Sequence, residues 1–197
     1  MGVDKASLLF RGQPLVVHAL RVLRGASLDV SIAGSRADLR AYAPVVEDAE
    51  PGLGPLGGIC SALASTEARW AVFLPVDLPL VPSSLLRFLL KHARVTGIAI
   101  NLTSVAGFAQ TFPAVLDRAV LQGLKAELEA GRRGCFSAFQ AAANGLGQPV
   151  SVLAAESLVQ DGQLTHPAGL PLASWFSNIN SKEELRQAEA HFPGFFA

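Results

Sequence analysis

The chain has 197 residues, of which 50% are hydrophobic, so it can bury a sizeable core as a single domain. Sixteen basic residues balance sixteen acidic ones, which argues against nucleic-acid or anionic-membrane partners and favours a small-molecule ligand. Two widely separated cysteines, no apolar leader and no run of about 18 apolar residues predict a reduced, cytosolic protein without membrane spans.

Strands and helices alternate in the first part of the chain. Apolar residues recur at helical spacing over residues 14–24, and Pro14 fits the first turn of that helix. Short apolar runs at residues 28–33 and 45–46 are predicted strands, with a short helix at residues 36–42 between them. This order predicts a β-α-β arrangement.

The middle of the chain contains the most apolar run. Residues 70–76 are almost continuously apolar, a pattern typical of a strand buried on both faces of a parallel sheet, and the next charge is Asp77. A helix is predicted over residues 83–93 and a strand over residues 95–102.

The remaining chain keeps the same alternation. Ser181 and Glu184 have capping-box spacing and predict the start of a helix that runs through Ala190. The other predicted elements are strands at 112–115 and 150–153 and helices at 119–130 and 135–143. Together the elements predict a three-layer, Rossmann-like α/β fold, a mostly parallel sheet with helices on both faces.

Two carboxylates follow predicted strands, where ligands collect in open α/β sheets. Asp77 precedes Leu78 and Pro79 and is suited to a hard divalent cation. Asp48 follows the predicted strand at residues 45–46. For both side chains a purely local role, bonding the backbone of a turn, stays an alternative.

A glycine-rich segment leads into a predicted helix, and Lys5 stands near the start of the chain. Glycines allow a ligand to approach the backbone where a helix presents unpaired N–H groups, so the segment can receive a ribose, a base edge or a phosphate. An ordinary strand-to-helix connection is the alternative. Lys5 can neutralise a phosphate or be merely solvated. The glycine-rich candidates are Gly54, Pro55, Leu56, Gly57 and Gly58.

Other polar residues give weaker indications of a functional site. Arg132 and Arg133 suit either a second anionic group or the C-terminal dipole of the preceding helix, and the second interpretation is slightly favoured. The histidines show neither nucleophile-base pairing nor metal spacing, so we assign them no catalytic role: His18, His92, His166 and His191.

Taken in order, five short motifs resemble one family over nearly the whole chain. They begin with Met-Gly-Val-Asp-Lys-Ala at residue 1 and Glu-Asp at residue 47, followed by Gly-Pro-Leu-Gly-Gly at residue 54. Leu-Pro-Val-Asp-Leu-Pro at residue 74 and Asn-Ile-Asn-Ser at residue 178 complete the set. The chain resembles the molybdenum cofactor guanylyltransferases, which have the nucleotide-diphospho-sugar transferase type of fold.

The resemblance implies transfer of GMP from GTP to molybdopterin, giving molybdopterin guanine dinucleotide and pyrophosphate with Mg²⁺ as the metal. It implies that Lys5 and Asp77 are catalytic and bind nucleotide, with Asp77 as the magnesium ligand. Asp48 and the segment from Gly54 to Gly58 would hold the guanosine, and Asn178 and Asn180 would lie towards the pterin. Transient contact with molybdoenzymes or other cofactor-biosynthesis proteins is a further implication.

In the family, a buried strand and a glycine-rich Leu-Ala-Gly-Gly loop with an arginine precede the Met-Gly-x-Asp-Lys segment. Here that segment opens the sequence, so we expect either a misplaced start or a paralogue without GTP turnover, and the first is favoured. Alternative functions on the same fold are cytidylyl transfer to molybdopterin or nucleotidyl transfer to a sugar phosphate. A non-catalytic accessory protein that binds molybdopterin or a molybdoenzyme is the alternative from another class.

Overall fold

The computed structural model describes residues 4–179 and 181–191, which divide into two compact units. Unit 1 takes in Met1–Asp29, Leu74–Arg87 and Ala155–Ala197, and unit 2 takes in Val30–Phe73 and Phe88–Ala154. The assignment of the whole chain to a single domain stays a prediction.

Unit 2 contains a mixed four-stranded sheet in the order β5 (Trp70–Phe73), β7 (Phe108–Asp117), β6 (Ile100–Val105) and β8 (Ser151–Ala154). β7 runs antiparallel to both β5 and β6, whereas β8 runs parallel to β6. The β6–β7 hairpin turns at Ala106 and Gly107, which both have positive φ (51° and 79°), the geometry of a tight two-residue turn.

Three helices pack on this sheet in one hydrophobic core. They are α2 (Gly54–Ser65), α4 (Leu121–Glu129) and α5 (Cys135–Gly145). α4 and α5 are in very close contact, because a methyl group on Gly123 would lie 2.9 Å from Ala142 Cα. Fully buried members of this core include Leu56, Leu63, Ile100, Leu102, Leu116, Leu124 and Phe139.

A second, two-stranded parallel sheet in unit 2 joins β3 (Ile32–Ala33) to β4 (Val45–Val46). The predicted strand at residues 28–33 is therefore only two residues long. The predicted helix at residues 36–42 is a single 3₁₀ turn, Ala37–Leu39.

Three sequence predictions in this region are wrong in their boundaries. Helix α3 runs over Ser83–Thr96, beyond the predicted start of the next strand at residue 95. It ends at Gly97, whose φ of 70° and whose N–H bond to the Ala93 carbonyl terminate the helix. The predicted strand at residues 70–76 ends at Phe73, is only partly buried and pairs antiparallel with β7.

Unit 1 is built on a hairpin followed by helices. β1 (Leu9–Phe10) and β2 (Gln13–Pro14) pair antiparallel, and α1 (Leu15–Gly25) follows directly, with Pro14 as its N-cap. Later elements are α6 (Ala155–Gln160), α7 (Leu172–Trp175) and α8 (Lys182–His191). Its core cluster comprises Leu8, Phe10, Leu15, Leu80, Ile179 and Leu185.

The predicted capping box at α8 is confirmed. Ser181 N–H donates to Glu184 Oε2 and Glu184 N–H donates to Ser181 Oγ, each at 3.1 Å, so two helix-end donors are satisfied reciprocally. The predicted α/β class is confirmed as well. Of the helices that the structure describes, not one has both the length and the apolar character to cross a membrane.

Candidate functional site

Lys5 and Asp77 form an ion pair in unit 1. Lys5 Nζ donates to Asp77 Oδ2 at 2.9 Å, although the two residues are 72 positions apart. The side chains are 41% and 19% exposed respectively, so solvent and a ligand can reach both. The structure therefore brings together two of the residues that the sequence singled out.

The backbone around Lys5 is held by Asp4. Its carboxylate accepts a hydrogen bond from Ala6 N–H at 3.2 Å and one from Ser7 Oγ at 2.6 Å, which caps the 3₁₀ turn Lys5–Ser7. Within the Asp-Lys pair of the motif, Asp4 shapes the turn and Lys5 projects from it.

Asp77 lies in a turn four residues beyond β5, not directly at the strand end as predicted. Leu78 N–H donates to the Pro75 carbonyl at 3.3 Å and closes the turn, while Val76 packs against the unit 1 core. Among the described residues, the Asp77 carboxylate bonds Lys5 and not the backbone of its own turn. This observation disfavours the purely local role.

The backbone that follows Asn178 is hydrogen-bonded to the Asp77 turn. Ile179 N–H donates to the Asp77 carbonyl at 2.9 Å, and Ile179 itself is buried in the unit 1 core. The preceding Asn178 side chain is exposed. Asn180, the other predicted pterin-side residue, lies outside the described residues.

Asp48 is the candidate carboxylate of unit 2, and one of its oxygens is buried without a hydrogen-bond partner among the described residues. That atom, Oδ1, faces the backbone of α2, because a methyl group on Gly58 would lie 3.5 Å from it and 3.6 Å from Ala33 Cβ. A buried acceptor without a donor is unfavourable unless a ligand or water supplies one. Among the partnerless buried oxygens that the structure describes in unit 2, Asp48 Oδ1 is the one that belongs to a candidate site residue.

The glycine-rich segment forms the start of α2. Gly52 and Gly54 have positive φ values of 80° and 70°, and Pro55 follows in the first turn of the helix. Gly57 cannot carry a side chain, because a methyl group there would lie 2.6 Å from Leu53 Cβ. Leu53, the N-cap, provides no side-chain cap, so N–H groups at this helix end stay available to a ligand.

The two neighbouring arginines have different partners in the structure. Arg132 donates to both Glu127 oxygens, at 2.5 and 2.6 Å, and these bonds lower the pKa of Glu127 and raise the pKa of Arg132. Arg133 Nη1 instead donates to the Gly52 carbonyl at 2.9 Å. The Arg132 pair is local, five positions apart, whereas the Arg133 bond spans 81 positions and could not be predicted from the local charge pattern.

Comparison with known proteins identifies the family. A family model described as the MobA-like NTP transferase domain matches residues 1–161. The chain belongs to this family. The molybdenum cofactor guanylyltransferase of Pseudomonas putida is 40% identical over 136 residues, which cover 67% of this chain and 71% of that protein. That of Rhizobium meliloti is 32% identical over 202 residues, 98% of this chain and 86% of that protein.

A solved structure supports the predicted fold type. The molybdopterin-guanine dinucleotide biosynthesis protein A from Archaeoglobus fulgidus matches with a TM-score of 0.74, covering 96% of this chain and 91% of that chain. Its sequence identity is 19%, so the likeness concerns the fold. The predicted nucleotidyltransferase fold and the family resemblance are both confirmed.

The Asp77 carboxylate is the candidate ligand for the magnesium ion that the family resemblance implies. Within residues 4–179 and 181–191, no group of three or more His, Cys, Asp or Glu side chains is arranged to hold a metal. Mg²⁺ is commonly held by one or two carboxylates together with substrate phosphates and water. A partly exposed single carboxylate beside a lysine is compatible with that mode of binding.

The two cysteines and two of the histidines lie in surroundings typical of structural, not catalytic, side chains. Burial raises the pKa of Cys60 to about 11 and also raises the pKa of Cys135, so neither thiol favours the reactive thiolate. His18 Nε2 lies 2.8 Å from the Phe10 carbonyl and His166 Nε2 lies 3.1 Å from the Leu80 carbonyl. Burial lowers the pKa of both histidines.

Proposed function

We propose that this MobA-like chain transfers GMP from GTP to molybdopterin, as the names of its relatives indicate for those proteins. The observation that carries the proposal is the Lys5–Asp77 pair, which sets a phosphate-neutralising ammonium 2.9 Å from a metal-binding carboxylate. Phosphoryl transfer gains mainly from positioning and from cations that neutralise charge on the phosphate oxygens.

The reaction balances without a further reactant. A terminal phosphate oxygen of molybdopterin attacks the α-phosphorus of GTP, a new oxygen–phosphorus bond forms, and the bond from the α-phosphorus to the bridging oxygen breaks. Pyrophosphate leaves with that electron pair. Lys5 would stabilise the charge on the phosphate oxygens as a point charge.

Asp77 would hold Mg²⁺, which supplies further charge neutralisation on the phosphates. The Lys5 ammonium keeps the Asp77 carboxylate oriented through their hydrogen bond. Asn178 and Asn180 are proposed for the pterin side. The Asp77 carbonyl bond to Ile179 N–H supports this assignment for Asn178, because it ties the asparagine segment to the Asp77 turn.

Asp48 and the glycine-rich segment are proposed to hold the guanosine. The unpartnered Asp48 Oδ1 is an acceptor that needs a donor, and the guanine base and the ribose both offer donors. The uncapped start of α2 would add backbone N–H groups. The glycine-rich residues proposed for this role are Gly54, Pro55, Leu56, Gly57 and Gly58.

A cytosolic location is proposed for the chain, since Cys60 and Cys135 are both free thiols in the structure. Molybdoenzymes or other proteins of cofactor synthesis are proposed as transient partners, as the family resemblance implies.

The test is pyrophosphate release by purified protein given Mg²⁺, molybdopterin and either GTP or CTP. We expect release with GTP that stops when EDTA removes the metal. Faster turnover with CTP would replace the guanylyl assignment by a cytidylyl one. Molybdopterin binding without pyrophosphate release under any condition would overturn catalysis and favour the accessory protein.

A further inference from the structure

The segment between Asp48 and α2 has two polar anchors that lie outside the family motifs. At one end, Ala49 N–H donates to Ser61 Oγ at 3.1 Å. At the other end, the Gly52 carbonyl accepts a hydrogen bond from Arg133 Nη1 at 2.9 Å. We call residues 48–54 the guanosine loop, in line with its proposed role.

The guanosine loop needs such anchors because little else fixes its backbone. Ala49, Glu50, Pro51 and Gly52 are all exposed, so hydrophobic packing contributes little to their placement. Gly52 and Gly54 both adopt positive φ, where glycine is freer than any other residue and loses the most entropy on ordering.

The two anchors come from different elements of unit 2. Ser61 lies in α2, two turns after its start, whereas Arg133 lies in the connection between α4 and α5. The bond from Arg133 spans 81 positions of sequence and that from Ser61 spans 12. Both residues touch the loop backbone and neither touches another candidate site residue through these bonds.

We propose that Arg133 and Ser61 are positioning residues that hold the guanosine loop, and with it Asp48, in the shape that binds nucleotide. The inference rests on the proposed function for its effect on GTP, but the anchoring itself is a property of the ligand-free chain. The Arg133 guanidinium acts through the Gly52 carbonyl and not on a phosphate.

Hydrogen exchange of the ligand-free protein tests the anchoring directly. In Arg133→Met and Ser61→Ala, we expect exchange of the Ala49 amide, whose N–H bonds Ser61 Oγ, to become several-fold faster, while the amides of β6 and β7 stay unchanged. Arg133→Lys, which keeps one charged donor, should restore part of the protection. Unchanged exchange in both anchor variants would overturn the inference whatever the nucleotide results show.

Two matched controls separate anchoring from loss of charge or of a hydroxyl. Arg132→Met removes the neighbouring guanidinium, which bonds Glu127 instead of the loop. Ser65→Ala removes a hydroxyl of the same helix that bonds only the Ala62 carbonyl among described partners. We expect neither control to change loop exchange.

Nucleotide binding then shows how Arg133 acts. If Arg133 acts through the loop, Arg133→Met should lower the binding affinities for guanosine, GMP and GTP by the same factor. We expect that factor to be about fivefold, as for an exposed charged hydrogen bond. KM for GTP should rise by that factor and kcat should stay unchanged. A loss of affinity that is larger for GTP than for guanosine would mean that Arg133 contacts the phosphates, and it would overturn the positioning role.

The outcomes also separate this inference from the proposed function. Faster loop exchange in the variants, together with no GTP binding by the parent chain, would defeat the guanylyl transfer proposal and leave the anchoring intact. GTP turnover by the parent with unchanged loop exchange in the variants would defeat the anchoring and leave the reaction intact.

Discussion

The two candidate carboxylates differ in what surrounds them. Asp77 in unit 1 already has a cationic partner, Lys5, whereas Asp48 in unit 2 has a buried oxygen with no donor among the described residues. A paired carboxylate is stable before any ligand arrives, and an unpaired buried acceptor is satisfied only when a ligand or water supplies a donor. We therefore expect substitutions at the two positions to have different signatures in catalysis, binding and stability.

Asp77→Ala should have the largest effect. Loss of the proposed metal ligand removes several kcal/mol of charge stabilisation, so we expect metal-dependent turnover to fall by about a thousandfold. The free energy of unfolding should change little, because the pair with Lys5 is partly exposed and such pairs contribute at most about 1 kcal/mol. Turnover and chemical denaturation measure the two quantities.

Asp161→Asn, at an exposed position of unit 1, is the matched control and should leave both quantities unchanged. Unfolding of Asp77→Ala under conditions where the parent is folded would contradict the catalytic assignment and indicate a structural role for the Asp77 turn.

Asp48→Ala should weaken nucleotide binding and leave the stability of the ligand-free protein unchanged or raised. GTP affinity should fall by about tenfold, the usual contribution of a hydrogen bond to a charged group. The ligand-free protein should be as stable as the parent or more stable, because a buried acceptor without a partner is removed. Calorimetric titration and urea denaturation measure the two effects.

Glu50→Gln, an exposed neighbour in the guanosine loop, controls for the loss of negative charge. A large loss of stability in ligand-free Asp48→Ala would mean that the carboxylate has a structural partner, and the comparison with Asp77 would fail.

Thr103→Val tests whether an unpartnered oxygen outside the candidate site behaves like that of Asp48. Thr103 is fully buried in β6, and its Oγ1 has no partner in the described chain. Replacing the hydroxyl by a methyl group should raise the free energy of unfolding by about 1 kcal/mol and leave GTP affinity unchanged. Urea denaturation measures the change.

Thr96→Val is the contrasting variant, since its hydroxyl donates to the His92 carbonyl at 2.9 Å and accepts from Ile98 N–H at 3.3 Å. We expect that variant to be less stable than the parent. Loss of stability in Thr103→Val would indicate that a bound water satisfies the Thr103 hydroxyl.

The smallest expected effect is a pH dependence that originates in unit 1. Burial lowers the pKa of His166 below its ordinary 6.5, so as the pH falls below 6.5 the unfolded chain takes up a proton before the folded chain does. The free energy of unfolding should therefore decrease from pH 7 downwards until the lowered pKa is reached. His166→Gln should make the free energy of unfolding less dependent on pH in this range. An identical pH dependence in both proteins would contradict the prediction.

Local sequence spacing predicted those features that neighbouring residues determine. The capping box at Ser181 and helix α1 are examples, since both depend on residues within one or two turns. The ordered motifs also brought Lys5 and Asp77 forward as site residues, and the structure places their side chains in contact.

Features that depend on distant partners were not predictable in this way. The strand predicted over residues 70–76 failed for a local reason instead, because Pro75 lacks an N–H and the Pro75–Leu78 turn replaces the strand after Phe73. The orphaned oxygen of Asp48 depends on Gly58 approaching it, and the Arg133 bond to Gly52 depends on a loop far along the chain. The spacing of residues along the sequence does not predict such contacts.

The interrupted layout of unit 1 has a consequence for synthesis on the ribosome. Its segments, Met1–Asp29, Leu74–Arg87 and Ala155–Ala197, emerge at three separate times, whereas unit 2 ends at Ala154. Chains are made from the N-terminus at about 5–20 residues per second, so Lys5 and Asp77 emerge well before Ile179, which bonds the Asp77 turn. The turn that carries the proposed metal ligand is thus completed only after all of unit 2 has been translated.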